Sequence, residues 1–421
     1  MAIELRGARA EEMPEVLDMV PRVMGATREY FAAAYRNDPW GRPEHSRIVL
    51  VDGRIVSHIR LYDRWQRVGS VPVHVGCVGD VCTLPEYRKQ GYCRMLLEDA
   101  LGYWDEHGYD LSMIVSGVGV YAACGWAALT ERRFELPAEN CHEVSGNREY
   151  EIRRFVRGED LTAVAAVYAA SNAERSLTTV RTCGYWERHF SWIAGEIEEA
   201  FLVAERAGQI VAYLRCERGG QKLVVSECCC LPDHHDAAVE LLDAALTFAA
   251  RRGLEGIQGH LPADHPALAA ARERPGFALG ESSVLLFRLV NLRRLLERLQ
   301  PLLAERAWAG GLEGSLSLNV GGQAIPLRIQ PGWAKVVGEP EIAPQAAPAR
   351  RSTRLLRPPP PSGQLDLSPE PVTLPPAAFF PYLFGTPVPK QVPLELSEAA
   401  QWLLAGLFPT GAPVYWRTDV V

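Results

Sequence analysis

The sequence predicts a mixed α/β chain in which one folding unit occurs twice and is followed by a smaller part of different make-up. Three observations carry this reading. Short apolar strands alternate with amphipathic helices up to Val290. The order of elements in the first stretch recurs in the second, with matching residues at several points. From about Asn291 the pattern changes to a long helix, a hairpin and a proline-rich stretch. A chain of 421 residues exceeds what one core supports. The expected divisions are 1–145, 146–290 and 291–421.

The first unit opens on a strand at Ile3-Glu4-Leu5-Arg6. Helical spacing follows from Glu11 to Met24, with Met13, Val16, Leu17, Val20 and Val23 on one face, and a second helix is expected from Thr27 to Arg36. Ile48–Val51 and Ile55–Ile59 flank Asp52-Gly53, a two-residue hairpin signal. From Val71 to Val81 every odd position is small and apolar, which is a strand with one buried face. Leu84-Pro85 ends it. Tyr92 to Trp104 reads as a helix, Leu111 to Val115 as a strand, and Val120 to Trp126 as a short helix and turn.

The second unit echoes the first. Tyr150–Arg153 with Glu159-Asp160-Leu161 matches Ile3–Arg6 with Glu11-Glu12-Met13. Gln209–Arg215 matches Arg54–Arg60, Glu227–Pro232 matches Asp80–Pro85, and Pro275-Gly276-Phe277 matches Cys124-Gly125-Trp126. In the last part, Leu292 to Ala307 is an amphipathic helix. Leu316–Val320 and Ala324–Ile329 straddle Gly321-Gly322 as a hairpin. Ala343 to Gly363 reads as a surface loop, Leu394 to Leu407 as a helix, and Ala412 to Val421 as extended chain.

Composition excludes some functions. A net charge of -7 argues against broad nucleic-acid binding, which needs an excess of Lys and Arg, and suits a cationic small substrate. No apolar run of membrane length is present, and Met-Ala-Ile-Glu-Leu-Arg-Gly lacks a signal-peptide core. A cytoplasmic protein with no membrane partner is expected. Its ten cysteines follow no disulfide framework and read as reduced core residues. Cys228-Cys229-Cys230 with His234-His235 invites a zinc reading, but alternation lets only Cys228 and Cys230 converge and no CxxC pair supports them. A buried strand, and no metal, is the expectation.

Arg88-Lys89-Gln90-Gly91 sits between a strand and a helix. A helix start offers free N–H groups and partial positive charge, a glycine lets a phosphate approach, and Arg88, Lys89 and Arg94 add charge. Ser116-Gly117-Val118-Gly119 lacks the third glycine and the acidic residue of a dinucleotide loop. The run Val78 to Gly91 resembles the acetyl-CoA motif of GNAT acetyltransferases: a strand, often a proline, then Arg or Gln, two residues, and Gly. Cys93 stands where that family has a final Gly or Ala. The likeness is strongest to the enhanced-intracellular-survival type, which acetylates aminoglycosides among other amines. The resemblance implies two tandem GNAT folds followed by a sterol-carrier-protein-like α+β domain, along the whole chain. Leu374 to Gly385, with the run Phe379 to Gly385, resembles the carrier-like helix, and Leu407-Phe408-Pro409 with its short tail resembles the ending.

The resemblance also implies roles. Val81, Cys82 and Thr83 would meet the acetyl and pantetheine part of acetyl-CoA. Arg88, Lys89, Gln90, Gly91, Tyr92, Cys93 and Arg94 would form the pyrophosphate loop, and Ser116 and Gly117 would meet the cofactor again. Tyr121, four residues before Gly125-Trp126, matches the family's general acid. The terminal carboxylate, that of Val421 here, would be the base. The family ends in an aromatic residue and this chain in Asp419-Val420-Val421, which makes Asp419 a rival base. Chemically, an amine attacks the thioester, backbone N–H groups hold the oxyanion, and a phenol protonates the thiolate. The second unit has His235-Asp236-Ala237-Ala238 in place of the loop and Arg272 at the tyrosine position, so it is expected to be structural and to help build the substrate cleft. The expected function is acetyl-CoA-dependent acetylation of a small cationic amine by a homo-oligomer, a hexamer by resemblance. The rival reading is a non-catalytic acyl-CoA or lipid-binding sensor.

Overall fold

The computed structural model describes residues 2–117, 119–140, 149–189, 196–337 and 370–419. The expected loop from Ala343 to Gly363, Val118, and the last two residues, Val420 and Val421, lie outside them. In the first unit, strands β1 (Ile3–Gly7), β2 (Ser46–Val51), β3 (Arg54–Val68), β4 (Val71–Thr83), β5 (Leu111–Val115) and β6 (Ala127–Pro137) alternate with helices α1 (Met13–Met24), α2 (Arg28–Asn37), α3 (Tyr92–Glu106) and α4 (Val120–Ala123). The second contains β7 (Glu151–Arg154), β8 (Leu202–Arg206), β9 (Gln209–Gly219), β10 (Lys222–Cys230), β11 (Gly256–Gly259) and β12 (Ala278–Leu289), with α5 (Arg157–Ser171), α6 (Cys183–His189), α7 (His235–Arg251) and α8 (Pro266–Arg272). The third contains α9 (Leu292–Gly310), β13 (Gly314–Val320), β14 (Gln323–Gln330), β15 (Trp333–Val336), β16 (Glu370–Leu374), α10 (Pro376–Phe384) and α11 (Glu398–Leu407).

The elements form where the residues demand them. Thr27 caps α2 by accepting from Tyr30 N at 3.2 Å. The hairpin turns at Asp52-Gly53 as expected. The last helix starts at Glu398, four residues later than its apolar pattern suggests, because Ser397 caps it. Cys228 to Cys230 end the buried strand β10. The alternation on β4 puts Cys77 and Val75 toward one layer and Val78 toward α3. Trp104 of α3 lies flat on β4 over Gly76. A Cβ there would come within 2.1 Å of the indole, so only glycine lets the helix seat.

The main departure from the sequence reading is how the units join. Twelve strands form one sheet in the order β1-β2-β3-β4-β5-β12-β6-β11-β10-β9-β8-β7. β12, from the second unit, inserts beside β5 of the first, with Leu285 opposite Val115 and Leu289 opposite Leu111. β6, from the first, pairs with β11 of the second. The two units have exchanged their last strands. A further crossover at Leu177–Val180 pairs with β3, through Leu177 N to Arg67 O at 2.8 Å and Val180 N to Trp65 O at 2.7 Å.

The third part is a four-stranded sheet, β15-β14-β13-β16, covered by helices. Its core is continuous with one face of the first unit, where Phe287 of β12 meets Phe384 at 4.7 Å between ring centroids. From there the chain returns to the second unit. Arg175 reaches Ala412 O, Val414 N bonds Ser176 O at 3.2 Å, and Trp416 Nε1 donates to Asn172 Oδ1 at 3.0 Å. This tail is buried as far as Asp419.

Replacing Gly76 by alanine drives a methyl into Trp104 and is expected to cost about 3 kcal/mol, at the upper end for overpacking. Urea denaturation of the Gly76→Ala variant measures it, and an unchanged midpoint would show that α3 shifts freely on the sheet.

Candidate functional site

The site begins where β4 and β5 part. Their parallel ladder ends at Val78 opposite Ile114, while β4 runs on to Thr83. The stretch from Gly79 to Thr83 therefore leaves one backbone edge free of β5. A bulge in the pairing with β3 falls here, and Asp80 adopts a left-handed φ of 50°. The sequence reading named Val81, Cys82 and Thr83 for this stretch. Val81 turns toward α3, and Thr83 Oγ1 shares a 2.7 Å hydrogen bond with Ser57 Oγ. The Cys82 side chain is buried in the core beneath α1 and α2, which leaves its backbone to the opening.

The loop after β4 leads into α3. Lys89 and Gly91 both have left-handed φ, 62° and 85°. Gly91 is the N-cap and no side chain caps this helix, so the N–H groups of its first turn point outward unclaimed by a cap. A Cβ on Gly91 would meet nothing within 4 Å, so its need is for the backbone angle and the open approach. Arg88, Lys89 and Arg94 are exposed around this opening, and Arg88 Nε also donates to Thr83 O at 3.2 Å, tying the loop to the strand end. The Tyr92 ring is buried among Leu96, Leu97 and Ile114, and its hydroxyl donates to Gln90 Oε1 at 3.1 Å, so it braces the loop from below. Cys93 is half-buried.

Tyr121 lies in the short helix α4 and is buried. Its phenol has a side-chain hydrogen bond with Ser116 and feels Cys93 and Cys124. Burial pushes it up to about 12, so it keeps its proton at neutral pH. Cys93 of the loop, more than twenty residues earlier in the chain, thus lies near Ser116 at the strand end and Tyr121 just after it. Ser116 N is also fixed by Val284 O at 2.7 Å, on the exchanged strand β12. Gly117 is exposed beside it.

On the opposite face, under α2, lies a polar network that the sequence reading missed. Arg60 lies between the rings of Tyr35 and Tyr62, at 3.7 and 4.2 Å, and bonds Asp38 at 3.2 Å. Arg64 bonds the other oxygen of Asp38 at 3.2 Å. Tyr62 donates to Asp80 at 3.3 Å, and burial pushes the Asp80 carboxyl up. Both arginines are buried, although strand alternation alone offers no reason for it; the aromatic faces and Asp38 replace water. His58 bonds Asp80 O and Tyr35 at 3.0 Å each, and burial lowers its imidazole to about 4. A second desolvated carboxyl, Glu131, lies on β6 past the end of β5, on the face that carries Leu129. Burial alone raises it to about 7.

Asp419 is not free to serve as a base. Its Oδ1 accepts from Arg181 Nε at 3.0 Å and from Tyr185 at 2.9 Å, and its Oδ2 accepts from Arg181 Nη2 at 2.9 Å. Val421 lies outside the described residues. In the second unit the structure corrects the expected match: His235 to Ala238 are the first turn of α7 and not the loop before it, and the residues that precede the helix, Leu231 to His234, include no glycine; Asp236 lies in that first turn, and Arg272 ends α8.

Residues 4–129 match the family model of an acetyltransferase (GNAT) domain. No curated protein matches the chain. Among solved structures, the chain is similar to a GCN5-related N-acetyltransferase from Anabaena variabilis, at 14% identity over 98% of each chain, with a TM-score of 0.70. It is similar to another from Kribbella flavida, at 16% identity over 98% of this chain and 97% of that one, TM-score 0.66. It is also similar to Eis1 from Mycobacterium abscessus, at 15% identity over 98% of this chain and 99% of that one, TM-score 0.64. At these identities the likeness is one of fold: two tandem GNAT folds and a carboxy-terminal α+β domain. Among the described residues no helix is long and apolar enough to cross a membrane.

The raised Glu131 carboxyl has a consequence for stability. The folded protein holds this proton up to about pH 7, and the unfolded chain only to about 4.5. Native structure therefore loses stability as pH rises between those values. Glu131→Gln is expected to be more stable than the parent at pH 8, by an amount on the order of 3 kcal/mol, and equal to it at pH 4. Thermal melts at the two pH values check this; a gap independent of pH would be contrary to it.

Proposed function

We propose that this chain is an acyl-CoA-dependent N-acyltransferase with one active unit, the first, taking acetyl-CoA as donor and a small cationic amine as acceptor. The observation that carries this reading is the meeting of Tyr121, Ser116 and Cys93 at the mouth of the parted strands. The opening fits the donor. Exposed cations and the uncapped first turn of α3 suit a pyrophosphate, and the free edge of β4 offers backbone groups to an amide-bearing arm.

The reaction then follows from the residues. The amine nitrogen bonds to the thioester carbon. Free backbone N–H groups of β4 are suited to stabilise the oxyanion that forms. The carbon–sulfur bond breaks, the thiolate takes the Tyr121 proton, and the phenolate is reprotonated by the proton that the nitrogen sheds as it becomes the amide. A phenol pushed up to about 12 is a weak acid, but a thiolate held beside it is its natural hydrogen-bond partner. Ser116, bonded to the phenol, keeps it turned to the opening. The ammonium must first lose a proton. In this reading the carboxylate of Val421 receives it. Two residues after the anchored Asp419 reach about 7 Å. The desolvated carboxyls Asp80 and Glu131 suit the approach of a cation. The likeness of the third domain to a sterol carrier protein belongs to the same proposal.

Tyr121→Phe is expected to lower the rate of thiol release from acetyl-CoA, with an amine panel, by about 10²-fold or more and to leave the donor KM nearly unchanged. An unaltered kcat would remove Tyr121 from the reaction. CoA binding without thiol release, by the parent protein and with every amine, would return the sensor reading.

Gly91→Glu sets a carboxylate in the cradle and is expected to abolish the thermal shift that CoA produces. A shift that persists would mean that CoA binds elsewhere, the second unit included.

A further inference from the structure

The second unit lacks the loop and the tyrosine, yet its most buried charges are well organised. Arg181 has no exposed side-chain surface, and neither has Glu227. The guanidinium bonds Glu227 through both terminal nitrogens, and Thr418 Oγ1 at 2.7 Å. It holds Asp419 in a two-point pair. The rings of Tyr168 and Trp186 lie against it at 4.0 and 4.6 Å and meet each other edge to face. Arg215, opposite Glu227 on β9, is a second buried cation beside that carboxylate, while Arg181 also holds the carboxylate of the tail. Charges withdrawn from water in this way are costly unless a partner holds them.

The tail end seated there is linked to the first unit. Tyr185, the other partner of Asp419, stacks on Trp40 at 5.6 Å, and Arg64 lies 5.7 Å from its ring. From Arg64 the network runs through Asp38 and Arg60 to Tyr62 and Asp80 at the β4 bulge.

We infer that Arg181 is a positioning residue for the first unit's site, and that the second unit acts as the receptor that seats the carboxy-terminal tail against the acceptor side. This rests on the acyl-transfer reading. Arg181 acts through Asp419 and Tyr185. The strand end that receives the donor, by contrast, is held by the β3 and α3 contacts and does not depend on Arg181. Loss of Arg181 should therefore damage turnover of the acceptor and spare the donor.

The experiment compares Arg181→Ala, Arg181→Lys and Asp419→Asn with Arg153→Ala. Arg153 pairs with Asp160 and Glu205 at the far edge of the sheet and serves as the control for loss of a second-unit ion pair. Asp419→Asn nearly preserves the side chain's shape and leaves Arg181 paired with Glu227, so it keeps the fold even where Arg181→Ala does not. Arg181→Ala is expected to lower kcat about tenfold or more with the CoA dissociation constant within about twofold, Asp419→Asn about fivefold, and Arg181→Lys less than Arg181→Ala. If turnover falls equally in Arg153→Ala, or if CoA affinity falls with kcat, Arg181 is merely structural and the inference fails. Hydrogen exchange separates this from failure of acyl transfer itself. Whether or not any amine is turned over, Asp419→Asn should raise exchange both at 412–419 and at 79–83. A rise confined to the tail overturns the inference.

Discussion

The exchange of β6 and β12 is the constraint on which the rest of the structure depends. A strand pair left open at β5 would expose a row of backbone donors and acceptors. Each unit closes the other's gap. β12 does more than fill a place: Val284 on it accepts from Ser116 N, which holds the residue that orients Tyr121. Its Leu285 and Phe287 enter the core shared with the third domain. The opening beside α3, the phenol of Tyr121 and the third domain are therefore aligned by a strand that belongs, in sequence, to the second unit.

The site combines two kinds of environment on opposite faces of one sheet. On the α3 side an open cradle of helix N–H groups and exposed cations faces water. On the other, charges are withdrawn from water and held by aromatic rings and by one another. Such withdrawn charges are poor stabilisers, because desolvation offsets most of the attraction. They do hold fixed geometry. Arg60 against two tyrosines and Arg181 against Tyr168 and Trp186 repeat one device in the two units.

Local signals in the sequence were read correctly where the structure depends on local chemistry. The Asp52-Gly53 turn, the alternation of β4, the glycine before α3 and Tyr121 before Gly125-Trp126 all lie within a few residues of what determines them. The matching order of elements also revealed the doubled unit. Side-chain direction inside the motif was less legible. Cys82 and Tyr92 belong to the loop in sequence but face cores, because a bulge and a helix turn set their direction. The strand exchange was not legible at all, since periodicity says that a strand is half-buried and not which strand lies beside it. The burial of Arg60 and Arg64 carries no local signal, because it depends on Asp38 and the tyrosines that the fold brings over them. Asp419 likewise became a poor base only once Arg181, far away in the chain, was seen to hold it.

The exchanged strands also impose an order of assembly. β5 and β6 are made early, but the strand that fits between them ends at Leu289. Until that residue has left the ribosome, the first unit holds two unpaired edges that could join a neighbouring nascent chain. Pairings this far apart in sequence close slowly, because the entropy of the intervening loop is lost before any contact offsets it. The first unit is thus the first to be synthesised and among the last to be completed, and its sheet closes only with the unit that supplies its missing strand.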